Sequence, residues 1–447
     1  MSRSVLGALG LLIVLAANGA GAEPAAAPAT TSVECDRDAT AIGRSACQLG
    51  VVLAGQVNGA LVVAAPNAGD GRLGLPALLS ERLVQRVAAR LGSAAQPQAA
   101  PLADAKRIAG SARGLVYLGI TLHRDRLEVS ADVYAGAGHF WQRLRDPSLH
   151  LKAHSVASSP LDPELRALFP AIAIVVTRID KGSLTERDVL ALVCGDVRGD
   201  GSSEIATIGR RKVQVGNLER GRFAVRSSLN WAESSAVSAS PLREPIATAE
   251  LAGPGRLWVG LSDRADALQL SGSLQVEHRW HGVMPWPGGG CTLRAGLGYA
   301  GKWQACPGAS AAPSVDFQTP VDAFASRVLA SQSGQSHTLR VARAVGSDVA
   351  RALDSLHPEV SVPNVGAQLA VGDLDQDGQP EIVTSQPSRD RRADQLVVRT
   401  LTDNGQLRER LRVPVPGGID AIAVCPGDGQ TMAPLALATG DGIWVIR

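Results

Sequence analysis

Two stretches of this 447-residue chain, 177 positions apart, are written to one plan. The first enters on Leu192-Val193-Cys194-Gly195, passes through Asp196-Val197-Arg198-Gly199-Asp200-Gly201-Ser202-Ser203-Glu204 and leaves on Ile205-Ala206-Thr207. The second enters on Ala370-Val371-Gly372, passes through Asp373-Leu374-Asp375-Gln376-Asp377-Gly378-Gln379-Pro380-Glu381 and leaves on Ile382-Val383-Thr384. Each is an apolar strand, an acidic loop and an apolar strand. A further strand and turn follow both, Val213 to Leu218 before Arg220-Gly221 and Leu396 to Leu401 before Asp403-Asn404-Gly405. The plan is a four-stranded unit used at least twice, and internal repetition at this scale predicts stacked, mainly β units.

The spacing inside the loop has a chemical reason. Calcium takes six to eight oxygen ligands, which carboxylates at alternate loop positions can converge to supply, while a glycine permits the sharp turn. Asp373, Asp375 and Asp377 alternate, Gly378 supplies the turn, Gln379 offers its backbone carbonyl and Glu381 completes the shell. An EF-hand would need a Glu at loop position twelve and flanking helices. That position is Thr384 in one copy and Thr207 in the other, and both flanks read as strands. The loops instead resemble the FG-GAP or VCBS repeat, the calcium-binding blade of integrin-like β-propellers. That resemblance implies a propeller with Asp373, Asp375, Asp377, Gln379 and Glu381 as calcium ligands. The first loop departs from the pattern because Arg198 stands where Asp375 stands in the second. A guanidinium cannot ligate a cation, so Asp196, Asp200, Ser202 and Glu204 form a degenerate second site. Calcium there is expected to be weak or absent, with Arg198 pairing to Asp196 or Asp200. The competing description of both loops is a metal-free acidic turn held by Asx-type hydrogen bonds.

A third copy without its carboxylates lies at Ile422-Ala423-Val424-Cys425, Gly427-Asp428-Gly429 and Leu435 to Thr439, and fainter ones at Ala247 to Leu261 and Cys291 to Cys306. At roughly 40 to 50 residues per blade, residues 168–447 hold about six or seven. Ala171 to Thr177 is expected to pair with the last blade and close the ring, removing exposed edges. A helix over Pro320 to Ser331 is the one helical pattern in this region.

Residues 35–155 read as a small α/β domain. A strand at Leu61 to Ala65 precedes a helix with apolar residues at Leu79, Leu83, Val84, Val87 and Leu91, ended by Gly92. A short helix at Ala103 to Ala109 leads to strands Leu115 to Leu122 and Leu127 to Tyr134, joined as a hairpin. The run AKRIAGSARGLVYLGITLHRDRLEVSADVYAG is similar to the N-terminal domain of TolB-type periplasmic proteins. Residues 156–167 read as a linker, as do the Ala/Pro/Thr-rich residues 23–34.

Arg3 followed by an apolar run from Val5 to Ala17 and by Ala20-Gly21-Ala22 reads as a signal peptide over residues 1–22. The chain is therefore expected to be exported, to the periplasm or the cell surface, and not integral to the membrane after cleavage. Export permits disulfides. Cys35 with Cys47 and Cys291 with Cys306 are the local pairs, while Cys194 and Cys425 form a disulfide across the ring closure or, more simply, remain small buried hydrophobes. With 44 Lys+Arg against 42 Asp+Glu, there is no basic field for nucleic acid.

Other motifs carry less. Arg198-Gly199-Asp200 is absorbed by the acidic loop. His278 and His281 have no third zinc ligand and lie near Pro285 and Gly288 to Gly290. Trp258, Trp303 and Trp444 read as packing between blades, and Trp280 with Trp286 as a possible groove. Neither a nucleophile elbow nor a phosphate loop occurs. The sequence thus points to a non-catalytic envelope protein whose calcium-stabilised propeller binds a protein or glycan. The alternatives are a secreted hydrolase or lyase with its site in the funnel, favoured by carboxylates, Arg or His at the central mouth, and a surface adhesin or carbohydrate-binding module, favoured by exposed aromatics on one face.

Overall fold

The computed structural model describes residue 35 and residues 40–447, except 58, 67–76, 111–113, 124–125, 136–140, 142–147, 238–244, 282–283, 286–291, 295–299, 305–315, 319–320, 325–327, 334–337, 344–359, 387–389 and 403. The signal-peptide reading of residues 1–22, the linker 23–34 and the pair Cys291 and Cys306 lie outside the described residues. The chain divides into two compact units. One comprises Met1–Pro66, Ala77–Gly119 and Ser130–Ala157, and the other Asn67–Pro76, Ile120–Val129 and Ser158–Arg447.

The N-terminal α/β region is built on a five-stranded sheet ordered Ala94–Gln96, Leu61–Ala64, Leu115–Leu122, Arg126–Ala135 and His150–Pro160. Leu61–Ala64 is parallel to both neighbours and buried along its whole length, as its unbroken apolar run requires. Helix Ala77–Leu91 buries Leu79, Leu83, Val84 and Val87, the face its periodicity marks out. Helix Ala41–Leu53, not anticipated from sequence, is capped by Thr40, whose Oγ1 accepts from the Gly43 N–H at 3.0 Å. Cys47 on this helix is disulfide-bonded to Cys35. Residues 156–167, expected to be a linker, hold the end of strand His150–Pro160 and the short helix Pro163–Arg166.

In the second unit the described strands form six four-stranded sheets, the first five ordered in sequence from an inner to an outer strand. The inner strands of the first and second sheets, Val189–Gly195 and Ala247–Gly253, lie side by side. So do those of the fourth and fifth, Val321–Phe324 and Leu369–Gly372, and those of the fifth and sixth, Leu369–Gly372 and Ile419–Val424. Ile419–Val424 in turn lies beside Val189–Gly195, so the first and last sheets meet and the chain forms a β-propeller.

Three devices hold that closure. The outermost strand of the sixth blade is Ile179–Gly182, which precedes the first blade in sequence and pairs antiparallel with Gly442–Ile446. Cys194, on the inner strand of the first blade, and Cys425, which directly follows that of the sixth, are disulfide-bonded, so they are not the two separate buried hydrophobes that formed the simpler expectation. An apolar seam of Val189, Leu192, Ile205 and Phe223 packs against Ala421, Ala423, Ala436, Ala438, Ile443 and Val445. The sixth-blade side of this seam is mostly alanine, small side chains that suit close approach of the facing blade.

Two expectations are corrected here. Ala171 to Thr177 is not the closing strand. It runs extended with Ile174 buried among fifth- and sixth-blade residues, and its Ile172 N–H donates to the Asp375 carbonyl at 2.7 Å. The described residues of 320–331 are not helical: Val321–Phe324 and Val328–Ser333 pair antiparallel, Phe324 with Val328. Cross-strand pairing inside a blade overrides the local helical pattern.

Candidate metal centre

Both acidic loops leave an inner strand in the same register. Gly195 pairs with Glu204 in the first blade and Gly372 with Glu381 in the fifth. Asp196 Oδ1 and Oδ2 accept from the N–H groups of Asp200 at 2.9 Å and Gly201 at 3.0 Å. Asp373 accepts in the same way from Asp377 at 3.0 Å and Gly378 at 3.1 Å. Asp200 and Asp377 each take the N–H two residues on, from Ser202 and Gln379. The turn glycines Gly201 and Gly378 have φ of 83° and 84°, a conformation that favours glycine. The backbone is one design in two copies.

Each loop also clasps the next blade. The Gly255 N–H donates to the Asp196 carbonyl at 3.0 Å, and the Ala433 N–H to the Leu374 carbonyl at 2.9 Å. Gln376 holds a left-handed φ of 56°, and its side chain is fixed at both ends: Nε2 donates to the Thr431 carbonyl and Oε1 accepts from the Gly429 N–H.

The side chains are where the copies part. In the first loop the Arg198 guanidinium lies among the carboxylates, with Nε 3.0 Å from Glu204 Oε1 and Nη2 2.6 Å from Asp200 Oδ2. Ser202 Oγ bonds to both Asp200 and Glu204. Oxygens of Asp196, Asp200 and Glu204 lie within 4.8 Å of one another, so the degenerate set is gathered, but around an internal cation. Of the two partners expected for Arg198, Asp200 is engaged, and Glu204 is the additional one. Hydrogen bonds from Ser202, together with Arg198, hold the Asp200 carboxyl below the usual carboxylate range.

In the fifth blade Asp373, Asp375 and Asp377 bring oxygens within 4.8 Å of one another with no cation of the loop's own between them. Asp373 and Asp375 are 4% and 1% exposed. Burial, compounded by Asp377 and Asp373, pushes the Asp375 carboxyl up to about 7. Burial and then Asp375 push Glu381 up to about 8. Asp375 Oδ1 has no hydrogen-bond donor among the described residues. A buried carboxylate oxygen without a donor costs several times a typical net hydrogen bond, and three converging carboxylates with one such oxygen fit a bound cation. Glu381 stands beside the trio with Oε2 accepting from the Leu374 N–H at 2.8 Å and Oε1 from Thr400 Oγ1 at 3.1 Å. The Gln379 side chain is exposed, and its N–H donates to Asp377 Oδ1 at 2.7 Å.

Contributors from outside the loop were not legible in its motif. Arg166 Nη1 lies 3.4 Å from Asp373 Oδ2, and Arg410 Nη2 3.7 Å from Asp375 Oδ2. The helix Pro163–Arg166 covers the turn so closely that a Cβ added at Gly378 would stand 2.2 Å from the Pro163 carbonyl oxygen.

Of the remaining sequence candidates, Trp286 and the side chain of Trp303 lie outside what the structure describes, and the others resolve as structure. His278 packs against Trp280, and His281 Nδ1 lies 3.0 Å from Asp266 Oδ1 on the neighbouring strand. Trp258 meets Trp280 edge-on at 5.0 Å, and Lys181 lies over the Trp444 ring. At the other end of the inner strands, Asp420 is paired with Arg391, and Asp394 accepts backbone N–H groups from Gln386, Gln395 and Ile419. Those two carboxylates are spent on structure.

Fold and site together define a β-propeller in which the first and fifth blades carry acidic loops between their first two strands. The FG-GAP repeat model matches residues 365–407, which span the complete loop and the first three strands of the fifth blade. The chain is thus a β-propeller protein carrying an FG-GAP repeat. Among solved structures the chain is similar to glutaminyl cyclase from Myxococcus xanthus at 13% identity, covering 62% of this chain and 98% of that one with a TM-score of 0.30, a level from which nothing is transferred. No curated protein sequence matches the chain.

Proposed function

We propose that the chain is an exported, non-catalytic envelope protein whose propeller is stabilised by calcium in the loop Asp373 to Glu381 and serves as a binding scaffold for an envelope protein or glycan. The observation that carries the ion is the buried carboxylate trio with the donorless Asp375 Oδ1. An all-oxygen set of hard ligands suits calcium over softer metals. In this reading Asp373, Asp375 and Asp377 supply carboxylate oxygens, Gln379 its carbonyl and Glu381 the closing carboxylate. The ion supplies positive charge to a loop that has none of its own. Export is supported by the residue pattern over 1–22 and by two disulfides, which persist in oxidising compartments. Among the described residues no helix is long and apolar enough to cross a membrane. The scaffold role is supported by the commitment of Asp394 and Asp420 to structural bonds, and by the likeness of the N-terminal region to TolB-type domains.

The test is thermal unfolding of the full chain in calcium and in chelator. An ion that binds only the folded state stabilises by about 2.7 kcal/mol at a hundredfold excess over Kd, and Asp375→Ala should abolish that gain. Equal melting temperatures in calcium and chelator for the wild type would reject the proposal.

A further inference from the structure

Asp373 and Asp375 divide their oxygens between two directions. Asp375 Oδ1 has no donor, whereas Oδ2 lies 3.7 Å from Arg410 Nη2. Asp373 Oδ2 likewise faces Arg166 Nη1 at 3.4 Å. The carboxylates are 2% and 1% exposed in their side chains, and the guanidiniums 33% and 27%. The two arginines reach the site from opposite sides in sequence. Arg166 ends the short helix before the propeller, and Arg410 lies on the outer strand Leu407–Pro414. Arg410 is further tied to the site through Thr400, whose Oγ1 accepts from Arg410 Nη1 at 3.3 Å and donates to Glu381 Oε1 at 3.1 Å. A guanidinium stays protonated at any working pH and cannot ligate a metal. The site therefore has two fixed positive charges in its wall that cannot be coordinating groups.

We propose that Arg166 and Arg410 set the charge of the ion the acidic loop accepts, matching it to a divalent ion and against a trivalent one. The proposal rests on the ion-binding reading given above. Four carboxylates, Asp373, Asp375, Asp377 and Glu381, face two guanidiniums, which leaves two negative charges when all are ionised. A divalent ion brings this buried set to neutrality, and a trivalent ion overshoots it. Repulsion between a wall charge and the bound ion is proportional to the ion's charge, so removing one arginine favours a trivalent ion about one and a half times as strongly, in free energy, as a divalent one. A variant that binds calcium about tenfold tighter should bind lanthanum about thirtyfold tighter. An arginine that only held the fold together would have the opposite effect, since its loss would loosen the loop and weaken both ions.

The experiment is titration calorimetry of the full chain with calcium and, separately, lanthanum, for the wild type, Arg410→Gln, Arg166→Gln and Arg410→Lys. Each Gln variant is expected to bind both ions more tightly, with the lanthanum-to-calcium affinity ratio raised about threefold. Arg410→Lys keeps the charge and should keep the wild-type ratio. If Arg166→Gln fails to fold because the helix over Gly378 is lost, Arg410→Gln alone carries the test. Calcium binding by the wild type with an unchanged ratio in Arg410→Gln, or weaker binding of both ions, would overturn this proposal and leave the ion site standing. No calcium binding by the wild type would overturn the ion reading itself and this proposal with it.

Discussion

The loops after Gly195 and Gly372 share their pairing register, their carboxylate-to-backbone hydrogen bonds and a glycine turn of the same φ, yet they solve opposite electrostatic problems. In the first blade Arg198 supplies a cation from within the loop, joining the buried Glu204 to Asp200, whose side chain is 46% exposed. In the fifth, Asp375 takes the same position, the site is covered by Pro163–Arg166, and burial drives Asp375 and Glu381 toward neutrality. In the proposed reading, the repeat keeps its backbone while the residue at one loop position, Arg198 or Asp375, decides whether an outside cation is called for. The backbone bonds are satisfied locally in both copies, so they do not depend on how the charge is met.

The largest effect expected from this contrast concerns the two turn glycines. Gly378→Ala places a Cβ against the Pro163 carbonyl at a left-handed φ and should cost about 3 kcal/mol or more, whereas Gly201→Ala, with open space around it, should cost about 1 kcal/mol. Urea unfolding midpoints measure both, and equal losses would show that the covering helix does not distinguish the loops. A second effect comes from pH. Asp375 and Glu381 have folded pKa values raised above their unfolded ones, so the ion-free protein takes up protons on folding. As far as these groups are concerned its stability should be greatest below about pH 4, the ordinary carboxylate range, and fall progressively as pH rises to about 8. Calcium should reverse that trend because it binds the ionised carboxylates, and its stabilisation should be larger at pH 8 than at pH 5.5. Melting curves with chelator that are flat over this range would break the burial argument. The smallest effect is at Arg198. Arg198→Ala removes the guanidinium from the buried Glu204 carboxylate and should lower the melting temperature slightly in chelator, partly restored by calcium. Restoration would sharpen the equivalence of guanidinium and ion, and a loss indifferent to calcium would break it.

The acidic loop was legible because its ligands sit at alternate positions of one short segment, and the strands on each side showed as unbroken apolar runs. The substitution of Arg198 for an aspartate could likewise be read directly, although not its choice of Glu204. What stayed hidden depends on distant parts of the chain. Arg166 meets Asp373 from 207 positions away, out of a segment whose prolines suggested a linker. The closing strand Ile179–Gly182 is the outermost of its blade, alternates exposed and half-buried residues and needs no apolar run, so the more hydrophobic Ala171 to Thr177 drew the assignment. Cys194 and Cys425 had similar strand contexts, but only the meeting of the first and last blades brings them together. In the α/β region the amphipathic helix Ala77–Leu91 was marked by its period, whereas the alanine- and glycine-rich Ala41–Leu53 was not.

The most direct measurement is the number of calcium ions bound per chain, obtained by titration calorimetry of the wild type, Asp375→Ala and Arg198→Asp. A loop that needs an ion beside one that carries its own cation predicts one ion for the wild type, none for Asp375→Ala and two for Arg198→Asp. No ion in the wild type, or one that survives in Asp375→Ala, would contradict the assignment of the fifth-blade loop, and a wild type binding a second ion lost on changing Glu204 would contradict the role given to Arg198.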